Sequence, residues 1–236
     1  KNATILCISS GGEVARCARR RRDPLIMIPG GLSPRAALGY TFFPLLIGLS
    51  RLGFIASKRT AIRETLALLR RQSARFSDPG NPENAPLSVA RRLHGRLPII
   101  YGSADLSEAV SARWRGQICE NAKQIAFGHV IPEMNHNELV GWSELTDVLG
   151  RSCVILLRDA AMHPRLALRM DLTRQIVGRL AGDVVEVWSE GKSPLARMFS
   201  LVYFADWVSL YLAILNNQDP TPVAVIDQLK HALAEA

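Results

Sequence analysis

Residues 133–138, inside "PEMNHNELVGW" (132–142), gather two carboxylates, two carboxamides and one imidazole before the chain turns apolar at Leu139. Imidazole is the side chain whose ordinary titration lies nearest neutrality, so a His136 held in one orientation by neighbouring amides suits proton transfer. Asn135 or Asn137 could supply that hold by capping a short helix beginning near Glu138, with His136 in the loop before it. A histidine satisfied within the fold is the plain alternative. His129, Glu133 and His136 could in principle ligate a metal, but Pro132 interrupts any helix joining them and the spacing fits no zinc or di-iron pattern.

Four other places carry chemistry-bearing residues. Glu120 stands in the rather apolar "ICENAKQIAF", where partial burial would make it a proton acceptor near neutral pH. Solvent exposure, or an i,i+3 pair with Lys123, is the ordinary alternative. In "CISSGGEVAR", Ser9, Ser10, Gly11 and Gly12 form a turn between a strand and a helix, where hydroxyls and backbone N–H groups can receive an anion; no Gly-Lys-Ser/Thr follows, so it is no Walker loop. In "IPGGLSPRAALGY", Pro34 suits a first helical position and Arg35 projects beside a glycine turn, where its fork of donors could hold a phosphate or oxyanion. Arg51 is a nearby rival, and a surface arginine is the neutral reading. In "NNQDPTPVAVIDQLKHAL", Thr221 and Pro222 open a terminal helix that carries Lys230.

The elements that must position these residues alternate between strand and helix. Strands are expected at 3–8 and 25–29 around a helix from Glu13 to Arg21, then an apolar helix at 34–53 kinked or divided by Pro44, then a helix at about 58–76. The segment "SDPGNPENAP" (77–86) lacks apolar periodicity and is the expected domain boundary. Beyond it come strands at 97–102, 152–159 and 183–189, with helices at 107–127, 164–181, 193–216 and 223–235. Alternation of this kind predicts parallel sheets covered on both faces, in two α/β sandwiches of which the first lacks its beginning.

With 236 residues the chain is long enough to bury a substantial core. The net charge of +8 comes from arginine, since only five of the 29 basic residues are lysine, and it suits anionic ligands. "RCARRRRD" (16–23) reads as a solvated helix face or an arm contacting a partner. Charge alone raises nucleic-acid binding, but neither a recognition-helix pattern nor interleaved aromatics accompany it. Four scattered cysteines without a C-x-x-C pair point to a reducing cytoplasm. No signal peptide is evident, and because the chain opens on a β-type run without methionine an upstream segment is expected. The apolar stretch 194–215 contains Arg197 and Asp206, so a buried core helix is expected rather than a membrane span.

In order along the chain, "ISSGG", "PGGLSPRAALGY", "ENAK", "PEMNHNELVGW" and "DPTPVAVIDQLK" closely resemble the bifunctional phosphoglucose/phosphomannose isomerase family. The resemblance spans nearly the whole chain, and the "NHNE" and "DPTPV" blocks are its most specific parts. It implies two sugar isomerase (SIS) domains, each a three-layer α/β/α sandwich around a parallel sheet. The first would be truncated and occupy residues 1–80; the second would occupy 81–236. It implies interconversion of glucose 6-phosphate or mannose 6-phosphate with fructose 6-phosphate, without metal or organic cofactor, by a cytoplasmic homodimer. Residue by residue, Ser9, Ser10 and Gly11 match the turn that helps bind the sugar phosphate, and Arg35 the arginine that stabilises an enediolate. Glu120 matches the base moving a proton between C1 and C2, and His136 the ring-opening histidine supplied across the subunit interface. Lys230 matches a lysine assisting at the ring oxygen, and Thr221 a threonine leaving room for both C2 epimers. Members of the family carry a further Ser/Gly/Thr-rich phosphate loop upstream of the first strand seen here. No nucleic acid or membrane partner is implied. The competing expectation is a non-catalytic SIS-type module that only binds a sugar phosphate.

Overall fold

Residues 5–235 are described by the structure, a computed structural model, and they divide into two compact units at Thr60/Ala61. Ala3 and Thr4 of the first expected strand lie outside the described residues. In the first unit, β1 (Cys7–Ser9) and β2 (Leu25–Met27) run parallel, with Cys7 opposite Leu25 and Ser9 opposite Met27. Between them α1 (Gly12–Arg21) buries Ala15 and Ala18 and leaves most of its arginines on the outer side. Pro34–Ala36 form a single 3-10 turn ahead of α2 (Leu38–Arg51). Pro44 does not divide α2, contrary to one sequence expectation: a proline inside a helix forfeits a single N–H bond, and the turns on either side carry the element through.

The second unit is built on a four-stranded, wholly parallel sheet in the order β4-β3-β5-β6. Its strands are β3 (Leu97–Ser103), β4 (Phe127–Ile131), β5 (Ser152–Arg158) and β6 (Asp183–Trp188). β5 is buried along its whole length, as a central strand covered on both faces must be. Its side chains alternate: Val154 and Leu156 join Tyr101, Ile131, Met134, Trp142 and Met170 in one core cluster, while Ile155 and Leu157 turn the other way. α7 (Pro164–Val177) supplies Met170 and Val177 to that cluster.

On the opposite side α8 (Pro194–Leu215) packs against α4 (Ala85–Leu93) and α5 (Glu108–Ala122). α8 is long and apolar enough to cross a membrane by length and composition, with an 18-residue stretch of mean hydropathy 1.7, yet 61% of that stretch is buried inside the protein. Its Asp206 accepts bonds from Arg113 at 2.9 Å and Gln117 at 2.6 Å, and the Trp114 indole N–H reaches the Leu201 carbonyl at 3.0 Å. It is a core helix.

Three parts of the second unit differ from expectation. The helix expected over 107–127 stops at Ala122, because Lys123 takes up a left-handed conformation (φ 54°) and its ammonium bonds the Glu120 carbonyl at 2.6 Å. That early stop frees Phe127–Ile131 to become the edge strand β4, which the glycine and histidine in "FGHVI" disguise. The polar stretch heads no α-helix; it folds as two 3-10 turns, Glu133–Asn135 and Glu138–Gly141, before the single turn of α6 (Thr146–Leu149). Finally, α3 (Arg59–Phe76) packs with the second unit, through Glu64 on the Lys192 amide at 2.5 Å and Arg75 on Glu190 at 2.7 Å. The segment 77–86 is therefore tied down at both ends and leads directly into α4, an element that the run of Pro, Asn and Gly conceals.

Candidate functional site

The "SSGG" turn grows from the end of β1. The Ser9 hydroxyl donates to the Gly11 carbonyl at 2.8 Å and accepts the Gly11 N–H at 3.2 Å, so its bonding is spent inside the turn. Gly11 and Gly12 sit at φ 149° and 65°, conformations that favour glycine, and a Cβ built on either would meet nothing within 4 Å. The space over the start of α1 is open, and Gly11 as N-cap leaves the first N–H groups of that helix facing it. Because β1 and β2 are parallel, the turn after β2 leaves on the same side: a Cβ on Gly30 would lie 3.9 Å from the Ser10 Cβ. Half-buried Arg35 follows on the 3-10 turn, whereas Arg51 is exposed in the last turn of α2.

Glu120 stands half-buried in the last turn of α5. It lines a cleft of about 510 Å³ together with Cys119, Lys123, Ile125, Val223 and Ile226. The cleft therefore lies between the end of α5 and the start of α9 (Ala224–Ala234). The Lys123 ammonium bonds backbone, reaching the carbonyls of Glu120 and, at 3.4 Å, Pro220. Thr221 is exposed beside Pro222, and its N–H reaches Asp219 at 2.8 Å, which holds that carboxyl below the usual range. Lys230 lies one turn beyond Ile226 on the same helix face, exposed, with Asp227 at 4.0 Å.

His136 is exposed between the two 3-10 turns, and its backbone N–H bonds the Glu133 carbonyl at 2.9 Å. The polar residues around it are spent on holding this stretch. Asn137 accepts the Glu138 N–H at 2.6 Å and donates to Glu133 at 2.9 Å, so the asparagine caps a 3-10 turn where an α-helix was expected. Asn135 donates to the Thr173 hydroxyl on α7 at 2.7 Å; that hydroxyl gives its own proton to the Arg169 carbonyl, which fixes which end of the amide faces it. Glu138 accepts from the Tyr101 hydroxyl, and Tyr101 in turn accepts the Trp142 indole N–H at 3.0 Å. Burial first, and then the Glu138 carboxylate, hold the Tyr101 phenol well above its ordinary range, so it remains a donor. Sequence reasoning did not single out Tyr101 or Thr173, because "LPIIYG" and α7 read only as core-forming elements.

β4 separates the two groups. Glu120 precedes it and His136 follows it, so five strand residues, roughly 16 Å at about 3.3 Å each, stand between them. Within one chain the carboxylate lies toward the N-terminal edge of the sheet and the imidazole beyond its C-terminal edge. Among the described residues, no three His, Cys, Asp or Glu side chains gather as a metal site.

Residues 83–233 match the family model described as the bacterial phospho-glucose isomerase C-terminal SIS domain. The whole chain is 44% identical to a bifunctional phosphoglucose/phosphomannose isomerase of Caldicellulosiruptor bescii, covering 100% of this chain and 70% of that protein. A protein of the same name from Aquifex aeolicus is 33% identical over 97% of this chain and 67% of its own length. Among solved structures, a glucose-6-phosphate isomerase like protein from Thermus thermophilus superposes with a TM-score of 0.67 at 20% identity, over 95% of this chain and 77% of that one, a likeness of fold.

Proposed function

Because the chain belongs to the bifunctional phosphoglucose/phosphomannose isomerase family and is an isomerase, we propose that it interconverts glucose 6-phosphate or mannose 6-phosphate with fructose 6-phosphate. The non-catalytic module falls away on the family membership. Residues 81–236 are assigned to the second SIS domain, and β1, α1 and β2 to the first. Both belong to a cytoplasmic homodimer, with neither nucleic acid nor membrane as partner.

The observation that carries the reaction is the place of Glu120: half-buried, in the last turn of a helix, and lining a cleft of about 510 Å³. In the aldose-to-ketose direction His136 opens the ring by moving a proton between the anomeric hydroxyl and the ring oxygen, with Lys230 assisting at that oxygen. Glu120 removes the C2 proton and leaves an enediolate, then returns a proton to C1 while the hydroxyl proton passes from O2 to O1. Arg35 stabilises the enediolate charge, and the turn of Ser9, Ser10 and Gly11 receives the phosphate, with Ser9 and the Gly11 N–H exchanging their bonds within the turn for bonds to it. Thr221, small and exposed beside the cleft-lining Pro222, leaves room for either C2 epimer. Every step is a proton transfer, for which no metal or organic cofactor is required.

The strand length between Glu120 and His136 supports a histidine reaching each carboxylate from the partner subunit, since within a chain the two stand beyond opposite ends of β4. Glu120→Gln tests the core of the proposal. Turnover of fructose 6-phosphate should fall by about three orders of magnitude or more, with binding of the phosphosugar nearly unchanged. Equal turnover in mutant and wild type would remove Glu120 from the reaction.

A further inference from the structure

Resting on the ring-opening role of His136, we propose that the Tyr101 hydroxyl and the Glu138 carboxylate it binds are positioning residues that aim the His136 imidazole. The stretch between β4 and α6 has no strand ladder and no α-helical turn, so its own backbone bonding, confined to two short 3-10 turns, does not tie it to the core. It is pinned instead by side chains on either side of His136. Asn135, one residue before, is bound to Thr173, and Met134 before that is 0% exposed. Glu138, two residues after, is bound to Tyr101, and Trp142 beyond it is 8% exposed and bound to the same phenol.

Tyr101 is the fixed point of this arrangement. It is fully buried on β3, paired in register with His129 on β4 and Leu156 on β5, so its hydroxyl cannot drift. An aromatic ring alone would fill the same volume. The hydroxyl adds one bond to the residue pair that follows His136 and one to the indole that closes the stretch. An exposed imidazole that must act outside its own subunit takes its direction from the backbone beneath it, and a misplacement of about 1 Å can cost about a hundredfold in rate.

The test is a set of variants of the full chain assayed with fructose 6-phosphate. Tyr101→Phe and Glu138→Ala should each lower kcat by roughly ten- to a hundredfold, with KM held within about threefold. Glu138→Gln keeps an oxygen for the phenol and should recover most of what alanine loses. Tyr101→Phe added to His136→Asn should bring no further loss, because a residue acting through the imidazole has nothing left to aim. If the same factor is lost in both backgrounds, or a folded Tyr101→Phe turns over like wild type, the positioning role is wrong. Should Tyr101→Phe not fold, the alanine and glutamine variants at 138 decide the matter: equal losses overturn the proposal. A fully active His136→Asn would instead overturn the ring-opening assignment beneath it.

Discussion

Arg92 and Asp183 meet fork to fork at the start of β6, with the guanidinium Nε 2.7 Å from one carboxylate oxygen and Nη2 on the other. Arg92 holds the Asp183 carboxyl below its ordinary range, and the Val184 N–H at 2.8 Å adds to the effect. A carboxylate whose folded pKa is depressed favours the fold above its unfolded pKa, and that contribution disappears as pH falls through the folded value. Asp183→Asn should therefore cost about 1 kcal/mol at neutral pH, a modest figure because the pair is partly exposed. The difference from wild type should close as pH drops below about 4, read from urea unfolding at several pH values. Asp206 behaves in the opposite sense. Burial against α5 raises its pKa, incompletely offset by Arg113 and Gln117, so its share of stability declines as pH rises through the carboxylate range.

Between elements, one side chain joins three pieces of chain. Buried Asn84 caps α4 by accepting the Leu87 N–H at 3.1 Å, and the two hydrogens of its amide are shared among the carbonyls of Phe76 and Asp78 and the Tyr211 hydroxyl, at 2.9, 2.9 and 3.0 Å. It thereby seals the end of α3, the start of α4 and the last turns of α8 into one layer. Asn84→Ala removes a cap and leaves buried polar atoms short of partners, so about 3 kcal/mol of stability should be lost. The shift in the urea midpoint, at an unchanged slope, measures it. The same layer rests on stacked aromatics, Phe76 with Tyr203 and Trp114 with Phe204.

For the whole molecule, the proposed sharing of each site between subunits predicts complementation. Glu120→Gln and His136→Asn chains should each be nearly inactive alone. Mixed and allowed to exchange, half of the dimers would be hybrids, each with one site carrying both native groups. Activity should then return to about a quarter of the wild-type value. An inactive mixture whose hybrid dimers are demonstrated by mass would place both groups in one chain. α9 leaves Val225, Leu229 and Leu233 exposed at 79%, 59% and 68%, while its first residues line the Glu120 cleft.

The amino-acid sequence by itself determined the β/α alternation, the buried central strands in "LPIIYG" and "SCVILLRD", the long apolar helix near the C-terminus and which side chains are candidates for moving protons. Those features follow from hydrophobic period and side-chain chemistry, which act over a few neighbours. Tertiary structure alone decided where α5 stops, that "FGHVI" forms an edge strand, and that Tyr101 anchors the stretch around His136. Each depends on a bond between residues far apart in sequence or on a backbone conformation that local propensity does not demand. The separation of Glu120 from His136 belongs to the same class: only the placement of β4 sets them at opposite edges of a sheet.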